Sequence, residues 1–259
     1  AAPSASRGSR RRSGSCSATG TCAADLAESA SPGSLGLFGG TFDPVHFGHL
    51  RLATELAEAF RLDRVIFLPA GLPYHRGRAA HASNEQRLTM LKLATARDAR
   101  FDVDDRELRR GGPTYTYDTL TEIRRERGPD TPLVFLTGSD AFAKIDTWNR
   151  WTELFDLAHF AVAIRANDEQ WFSKGPGAFP REAWPRITLN RRELLAAPAG
   201  WIITFSMTPI AISSSAIRTL AGEGASIRYL TPDPVAEYIR SHDLYSQRPR
   251  DAQAADTPR

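Results

Sequence analysis

Apolar residues recur along the chain in two patterns, short continuous runs and helical stripes. The runs are rich in β-branched and aromatic side chains and several end at Gly or Pro, which is typical of buried strands. They are LGLF (35–38), VIFLP (65–69), PLVFLTG (132–138), HFAVAIR (159–165) and WIITFS (201–206). Because each run is too short for a helix of ordinary length, we predict five strands.

Helical stripes separate these runs. Leu50, Ala53, Leu56, Ala57 and Phe60 lie at the spacing of one helix face. Further helices are predicted at 83–95, 117–127, 214–224 and 234–242, opened or closed by Ser, Gly or Pro. Strands that alternate with helices favour right-handed βαβ units. The predicted fold class is therefore α/β: a Rossmann-like, doubly wound, mostly parallel sheet with helices on both faces, in a single domain with a C-terminal helical part.

The ends of the chain lack this periodicity. Residues 1–34 are rich in Ser, Ala, Gly and Arg, and residues 246–259 form a second polar stretch. We predict a disordered N-terminal extension, a domain at 35–245 and a disordered C-terminal tail. A transit peptide and an interaction role remain alternatives for the extension. Within the domain, 166–199 contains four prolines and is interpreted as an insertion or subdomain.

Composition excludes several classes of protein. Of 259 residues 41% are hydrophobic and 24% charged, as in ordinary soluble proteins. The net charge of +3 belongs to the two ends, so we expect no nucleic-acid partner. No apolar run approaches the roughly 20 residues that span a bilayer, so we expect no membrane partner and a cytoplasmic location. Two cysteines exclude a disulfide scaffold.

Candidate chemistry lies at the first strand–helix junction, GGTFDPVHFGHL (39–50). Gly39 and Gly40 permit a tight turn, and the next helix is predicted to begin near His46. The free N–H groups and positive dipole end of that helix suit an anion. His46 and His49, three residues apart, lie on one helix face. A pair of helix-capping histidines or a zinc pair is the alternative, although we find no third ligand at suitable spacing.

Four further motifs follow in order: PYHR (73–76), DRELRRGGPTYTYDTL (105–120), TGSDAFAKIDTW (137–148) and ISSSAIR (212–218). Together with the first, they resemble the bacterial nicotinate-nucleotide adenylyltransferases, within the nucleotidyltransferase superfamily that carries the (T/H)xGH motif. The resemblance implies transfer of the adenylyl group of ATP to nicotinate mononucleotide, which gives deamido-NAD and pyrophosphate in NAD biosynthesis. It implies no covalent enzyme intermediate. Mg²⁺ is expected with ATP, without a dedicated protein metal site.

The resemblance also implies residue roles. Catalytic roles fall to His46, His49 and Arg218. The residues implied in ATP binding are Gly39, Gly40, Thr41, Phe42, His46, His49, Gly138, Asp140, Ile212, Ser213, Ser214, Ser215 and Arg218. Those implied in binding nicotinate mononucleotide are His75, Arg76, Thr116, Tyr117 and Trp148. Ordinary helix capping by the serines or by Asp140, and core packing of Trp148, remain alternatives.

Three other functions stay open at this point. The acceptor could be nicotinamide mononucleotide, or another phosphorylated substrate such as a phosphopantetheine. The chain could also be a non-catalytic nucleotide sensor on the same fold. The sequence leaves open whether it forms a homo-oligomer.

Overall fold

The computed structural model describes residues 33–73, 80–164 and 180–246. The predicted disordered ends, apart from residues 33, 34 and 246, lie outside these ranges, as do His75 and Arg76. Ser34 is fully buried, so the ordered body begins no later than this residue. Over the described ranges, no helix is long and apolar enough to cross a membrane.

Six strands of the described chain form one parallel sheet. They are β1 (Leu35–Gly40), β2 (Arg64–Pro69), β4 (Phe101–Val103), β6 (Leu133–Gly138), β7 (His159–Ile164) and β8 (Ile202–Ser206). Two short strands, β3 (Leu72–Pro73) and β5 (Pro113–Thr114), pair separately. The sheet order is β4-β2-β1-β6-β7-β8. The chain thus winds outward in both directions from β1 and β6, which is the doubly wound arrangement predicted.

Helices cover both faces of this sheet. They are α1 (Phe47–Phe60), α2 (Asn84–Thr95), α3 (Arg106–Arg110), α4 (Thr116–Arg127), α5 (Ser139–Phe142), α6 (Leu154–Leu157), α7 (Arg191–Ala196), α8 (Ser214–Gly222) and α9 (Asp233–Ser241). Alternate residues of a strand point to opposite faces. In β2, Val65 and Phe67 join the core beneath α1, α2, α8 and α9, while Ile66 and Leu68 join the core beneath α4 to α6. The predicted helices on both faces are confirmed.

The strands and helices predicted from apolar patterns are all present, with bounds that differ by a few residues. The strand β4 and the short helices α3, α5, α6 and α7 were not predicted. Of the two interpretations of 166–199, a separate subdomain is wrong for the described part, residues 180–199, and an insertion stays a prediction. Ala183 and Leu194 are fully buried in the two main cores, so this stretch belongs to the single domain.

Candidate active site

An open cleft of about 1190 Å³ lies outside the carboxyl ends of β1 and β6. These two strands are neighbours in the sheet, but their crossovers run in opposite directions. The crevice between such strands is where open α/β sheets bind ligands. Every predicted ATP-binding residue lines this cleft, and so do Thr116 and Trp148.

The turn after β1 is packed tightly against the side chain of one of its own residues, Phe42. A Cβ atom at Gly40 would lie 2.8 Å from the Phe42 ring, so this position needs glycine. Phe42 has a left-handed backbone, with φ of 49°, and its buried ring packs edge-on against Phe38. The turn therefore presents backbone to the cleft rather than bulk.

His46 and His49 stand together at the amino end of α1. His46 occupies the N-cap, and its backbone N–H donates to Nδ1 of His49 at 3.3 Å. The two rings stack with centroids 3.8 Å apart. Only 7% of His46 is exposed, and burial lowers its pKa to about 4, so its imidazole is neutral near pH 7. Its buried Nδ1 has no hydrogen-bond partner among the described residues.

The two alternatives for this histidine pair now differ in support. Helix capping is present, since both residues take part in the N-cap of α1. For a zinc pair, the ranges 33–73, 80–164 and 180–246 contain no cluster of three His, Cys, Asp or Glu side chains that could hold a metal ion. Both histidines also line the cleft.

A second helix begins beside the first. Ser213 is the N-cap of α8, and its Oγ accepts from the N–H of Ala216 at 3.2 Å. The Ser214 hydroxyl donates to the Pro44 carbonyl at 2.9 Å. Arg218 donates through Nη1 to the Asp43 carbonyl at 2.6 Å and through Nη2 to Ser215 Oγ at 3.1 Å. The capping alternative is thus confirmed for Ser213, and the amino ends of α1 and α8 face one cleft.

Asp43, which the sequence did not single out, ties this turn to distant parts of the chain. It is only 4% exposed and lines the cleft. Its Oδ2 accepts from the N–H of His81 at 2.7 Å. Its Oδ1 accepts from the N–H of Ala82 at 3.1 Å and from the Tyr245 hydroxyl at 2.8 Å.

Arg87 on α2 is a second contact that the motifs did not predict. Its side chain is fully buried, and burial is the main reason that its pKa is lowered. Nη1 donates to the Thr41 carbonyl and Nη2 to the Ala70 carbonyl, both at 2.7 Å. Because Thr41 follows β1 and Ala70 follows β2, this guanidinium joins the two loops at the carboxyl ends of neighbouring strands.

The opposite wall of the cleft begins at the end of β6. Gly138 is the N-cap of the short helix α5, so the capping alternative for Asp140 is wrong. A Cβ atom at Gly138 would lie 2.8 Å from Oδ1 of Asp140, which is exposed at the cleft wall. Glycine at this position lets the carboxylate approach the backbone.

The end of the cleft that is predicted to bind the mononucleotide contains the ring of Trp148 and the first residue of another helix, Thr116. Trp148 is half-buried and packs edge-on against Phe135, with centroids 6.2 Å apart, so core packing and a cleft surface coexist. Thr116 is the first residue of α4 and lines the cleft. The Tyr117 ring lies beneath the Arg150 guanidinium at 3.8 Å, and the side chain is not part of the cleft wall.

Glu107 and Lys144 also line the cleft without having been predicted. Glu107 is 9% exposed and accepts from the Thr119 hydroxyl at 2.8 Å, and burial raises its pKa. Both residues lie inside motifs quoted above. The signal for them was therefore present, but their side chains could not be placed without the fold.

Comparisons with known proteins agree with this geometry. The model of the family described as Cytidylyltransferase-like matches residues 37–220. A relative from Dechloromonas aromatica (strain RCB), named "Probable nicotinate-nucleotide adenylyltransferase", is 49% identical over 82% of this chain and 97% of its own length. A Pseudomonas aeruginosa (strain UCBPP-PA14) relative with the same name is 43% identical over 82% of this chain and 96% of its own.

Solved structures share the fold. The Plasmodium falciparum nicotinic acid mononucleotide adenylyltransferase complexed with NaAD matches with a TM-score of 0.60, over 82% of this chain and 97% of that one. The same protein complexed with APC gives a TM-score of 0.58, over 82% of this chain and 96% of that one. Both are 16% identical to this chain, so they are similar in fold alone.

Proposed function

The chain belongs to the Cytidylyltransferase-like family and to its nicotinate-nucleotide adenylyltransferases, and from this premise we propose that it makes deamido-NAD from ATP and nicotinate mononucleotide. It is a nucleotidyltransferase of NAD biosynthesis. The observation that carries the proposal is the meeting of His46, His49 and Arg218 at one cleft, beside the amino ends of α1 and α8.

The reaction needs positioning and charge neutralisation rather than an enzyme nucleophile. A phosphate oxygen of the mononucleotide attacks the α-phosphorus of ATP, and the bond from that phosphorus to the bridging oxygen breaks. Pyrophosphate leaves with the electron pair of the broken bond. Phosphoryl-type transfers of this kind depend on alignment of the two reactants and on stabilisation of the leaving group.

The cleft residues are suited to that task. We assign the triphosphate to the turn at 39–42 and to the amino ends of α1 and α8, where the positive ends of the helix dipoles favour anions. His46 and His49 then donate hydrogen bonds from their ring N–H groups to phosphate oxygens. Arg218 neutralises the β- and γ-phosphates, for which a planar guanidinium is well shaped.

The remaining parts of the two substrates are assigned to the other walls of the cleft. Gly138 and Asp140 are assigned to the ribose of ATP, because a carboxylate can accept from sugar hydroxyls. Ile212, directly before Ser213 in the chain, lines the cleft and is also assigned to ATP. Trp148 offers an aromatic face to the pyridine ring, and the first-turn N–H groups of Thr116 and Tyr117 are assigned to the nicotinate carboxylate. His75 and Arg76 keep the assignment given by the family resemblance.

Mg²⁺ enters this proposal as part of the substrate. The described cleft residues offer mostly N–H groups, hydroxyls, imidazoles and a guanidinium. Of their three carboxylates, Asp43 already accepts three hydrogen bonds, Glu107 is buried and accepts from the Thr119 hydroxyl, and Asp140 is assigned to the ribose. This donor set does not fit a dedicated Mg²⁺ site, which prefers oxygen ligands. We therefore propose that ATP brings Mg²⁺ on its own phosphates. We also place the enzyme in the cytoplasm without a nucleic-acid partner, and leave self-association to measurement.

A pyrophosphate-release assay tests the function. Purified protein is incubated with ATP, Mg²⁺ and either nicotinate or nicotinamide mononucleotide, with phosphopantetheine as a third acceptor. We expect turnover with nicotinate mononucleotide and a kcat/KM at least about tenfold lower with the amide, because a poorly matched buried polar group costs about 1–3 kcal/mol. Equal values would overturn the acceptor assignment. Bound ATP without turnover on any acceptor would favour the sensor.

A further inference from the structure

Four separate segments of the chain meet at residues 41–44, which we call the phosphate turn. α2 reaches it through Arg87, the stretch after residue 79 through His81 and Ala82, and α8 through Arg218. The fourth segment is the end of the described chain, which contributes only Tyr245. All the other contacts use groups on helices or backbone N–H groups, whereas Tyr245 uses one side-chain hydroxyl.

The Tyr245 contact is a directed hydrogen bond in a protected place. The hydroxyl lies 2.8 Å from Oδ1 of Asp43, a residue that is 4% exposed. Two residues between the end of α9 and Tyr245 show how the chain is brought there: Asp243 has a left-handed backbone, and the N–H of Leu244 donates to the Ile239 carbonyl. Burial beside the Asp43 carboxylate raises the pKa of Tyr245, so the hydroxyl keeps its proton and remains a donor.

Asp43 also connects directly to the cation assigned to the triphosphate. Its backbone carbonyl accepts from Nη1 of Arg218 at 2.6 Å, and the next carbonyl, that of Pro44, accepts from the Ser214 hydroxyl. The three hydrogen bonds to the Asp43 carboxylate anchor this residue, and they therefore restrain the backbone carbonyl to which Arg218 is bound. The position of this guanidinium depends on how firmly Asp43 is held.

We propose that Tyr245 is a positioning residue: its hydroxyl holds Asp43, and through Asp43 it aims Arg218 at the β- and γ-phosphates of ATP. This inference rests on the proposed function. It assigns to the last described residues of the chain a role in ATP binding rather than only in closing the core.

Tyr245→Phe tests the proposal because it removes one oxygen and keeps the ring. We expect the KM for ATP to rise about tenfold, equivalent to about 1.4 kcal/mol. The KM for nicotinate mononucleotide should stay within about threefold, whereas kcat should fall as well, since Arg218 also stabilises the departing pyrophosphate. Tyr229→Phe is the matched control, because 74% of Tyr229 is exposed and its ring lies beside Arg228.

A rise in the KM for ATP without a rise in the KM for nicotinate mononucleotide distinguishes positioning of Arg218 from ordinary packing. A purely structural hydroxyl would lower the melting temperature and the amount of active enzyme while leaving the KM for ATP unchanged. That result, or an equal rise in the Tyr229→Phe protein, would overturn the proposal. Calorimetric titration with a non-hydrolysable ATP analogue gives the same comparison without turnover. A wild-type protein that binds the analogue but releases no pyrophosphate would therefore defeat the proposed function and still leave this inference open to test.

A double-mutant cycle then locates the effect. Asp43→Ala, which removes the acceptor of the Tyr245 hydroxyl, is measured alone and together with Tyr245→Phe. If the hydroxyl acts through Asp43, the double variant should bind the ATP analogue about as weakly as Asp43→Ala alone. Additive losses in analogue affinity would mean that Tyr245 acts by another route, and would contradict the proposal.

Discussion

The two histidines of the cleft occupy different environments although they stack on each other. His46 is buried, and its lowered pKa of about 4 makes it a neutral donor or acceptor. His49 is less buried and faces the same cleft. A neutral imidazole contributes a directed hydrogen bond rather than a full charge. His46 therefore adds no full charge at the phosphates, where Arg218 and the two helix ends supply positive potential.

His49→Ala should lower kcat by about 10²- to 10³-fold, the range typical for loss of one preorganised donor at developing charge. Steady-state pyrophosphate release at saturating substrates measures it. Glu58→Ala is the control, because this exposed residue lies on the same helix and outside the cleft. A change in kcat below about threefold would remove His49 from the catalytic group.

Residues within motifs could be predicted from the sequence, and their long-range partners could not. His46, His49 and Arg218 lie in short motifs with recognisable chemistry, and the structure brings them to one cleft. Asp43 lies in the same motif as His46 and His49, but the tyrosine that donates to it, Tyr245, is 202 residues away. An isolated tyrosine near the end of a chain carries no local signal of such a contact.

At the scale of elements, the start of α1 depends on the absence of a side chain. A Cβ atom on Gly48 would lie 3.0 Å from Cε1 and Nδ1 of the His46 ring. Glycine within a helix is ordinarily unfavourable by about 0.5–1 kcal/mol relative to alanine. Glycine at position 48 therefore lowers the stability of the helix and leaves room for the His46 imidazole of the candidate site.

Gly48→Ala should reduce kcat/KM for ATP at least about tenfold, because the His46 ring must move, while the melting temperature stays equal or rises. Both are measured on the same preparation, by pyrophosphate release and by thermal unfolding. The gain in helix propensity balances or exceeds the steric cost, because a shift of the His46 ring relieves a contact of 3.0 Å.

Gly36→Ala is the contrasting variant. Its Cβ would lie 2.9 Å from Leu62 and 3.1 Å from Val65, in the core rather than at the cleft. We expect a lower melting temperature with kcat nearly unchanged. If Gly48→Ala behaved in the same way, its role would be packing alone.

Elements with a clear apolar period were predictable, and the shortest ones were not. α1 has a full apolar face and begins after His46, as predicted. β4 has only three residues, too few for any period to show. α7 follows a proline-rich stretch, and its one local signal is the N-cap Asn190, whose side chain accepts from the N–H of Arg192.

At the scale of the molecule, the alternation of strands and helices was enough to predict a two-faced parallel sheet, but not the strand order. The order depends on which way each crossover turns, and this is decided by contacts between distant segments. Arg124 shows such contacts: its guanidinium donates to the carbonyls of Thr131, Leu157 and Pro198. Each contact is ordinary, but together they join α4 to the segments that precede β6, β7 and β8.

His159 extends this dependence on buried polar groups to the whole domain. It is fully buried in β7, where Nε2 donates to the Ala197 carbonyl and Nδ1 accepts from the N–H of Trp201. Burial, together with the charge of Arg124, lowers its pKa to about 4. The folded state thus holds both His159 and His46 as neutral imidazoles at pH values where the unfolded chain, with a pKa near 6.5, binds a second ring proton on each.

These two histidines make acid destabilise the fold. Between pH 6.5 and about 4 the unfolded state binds more protons, so the free energy of unfolding falls as pH falls, by up to about 1.4 kcal/mol per pH unit for each histidine. Above pH 6.5 neither residue adds a pH dependence. His159→Asn should therefore have a shallower slope than the wild type below about pH 6, whatever its stability at neutral pH. Urea unfolding at a series of pH values measures both slopes, with His242→Asn as the control substitution at an exposed histidine. Equal slopes for wild type and His159→Asn would mean that His159 is already a charged imidazolium in the folded protein.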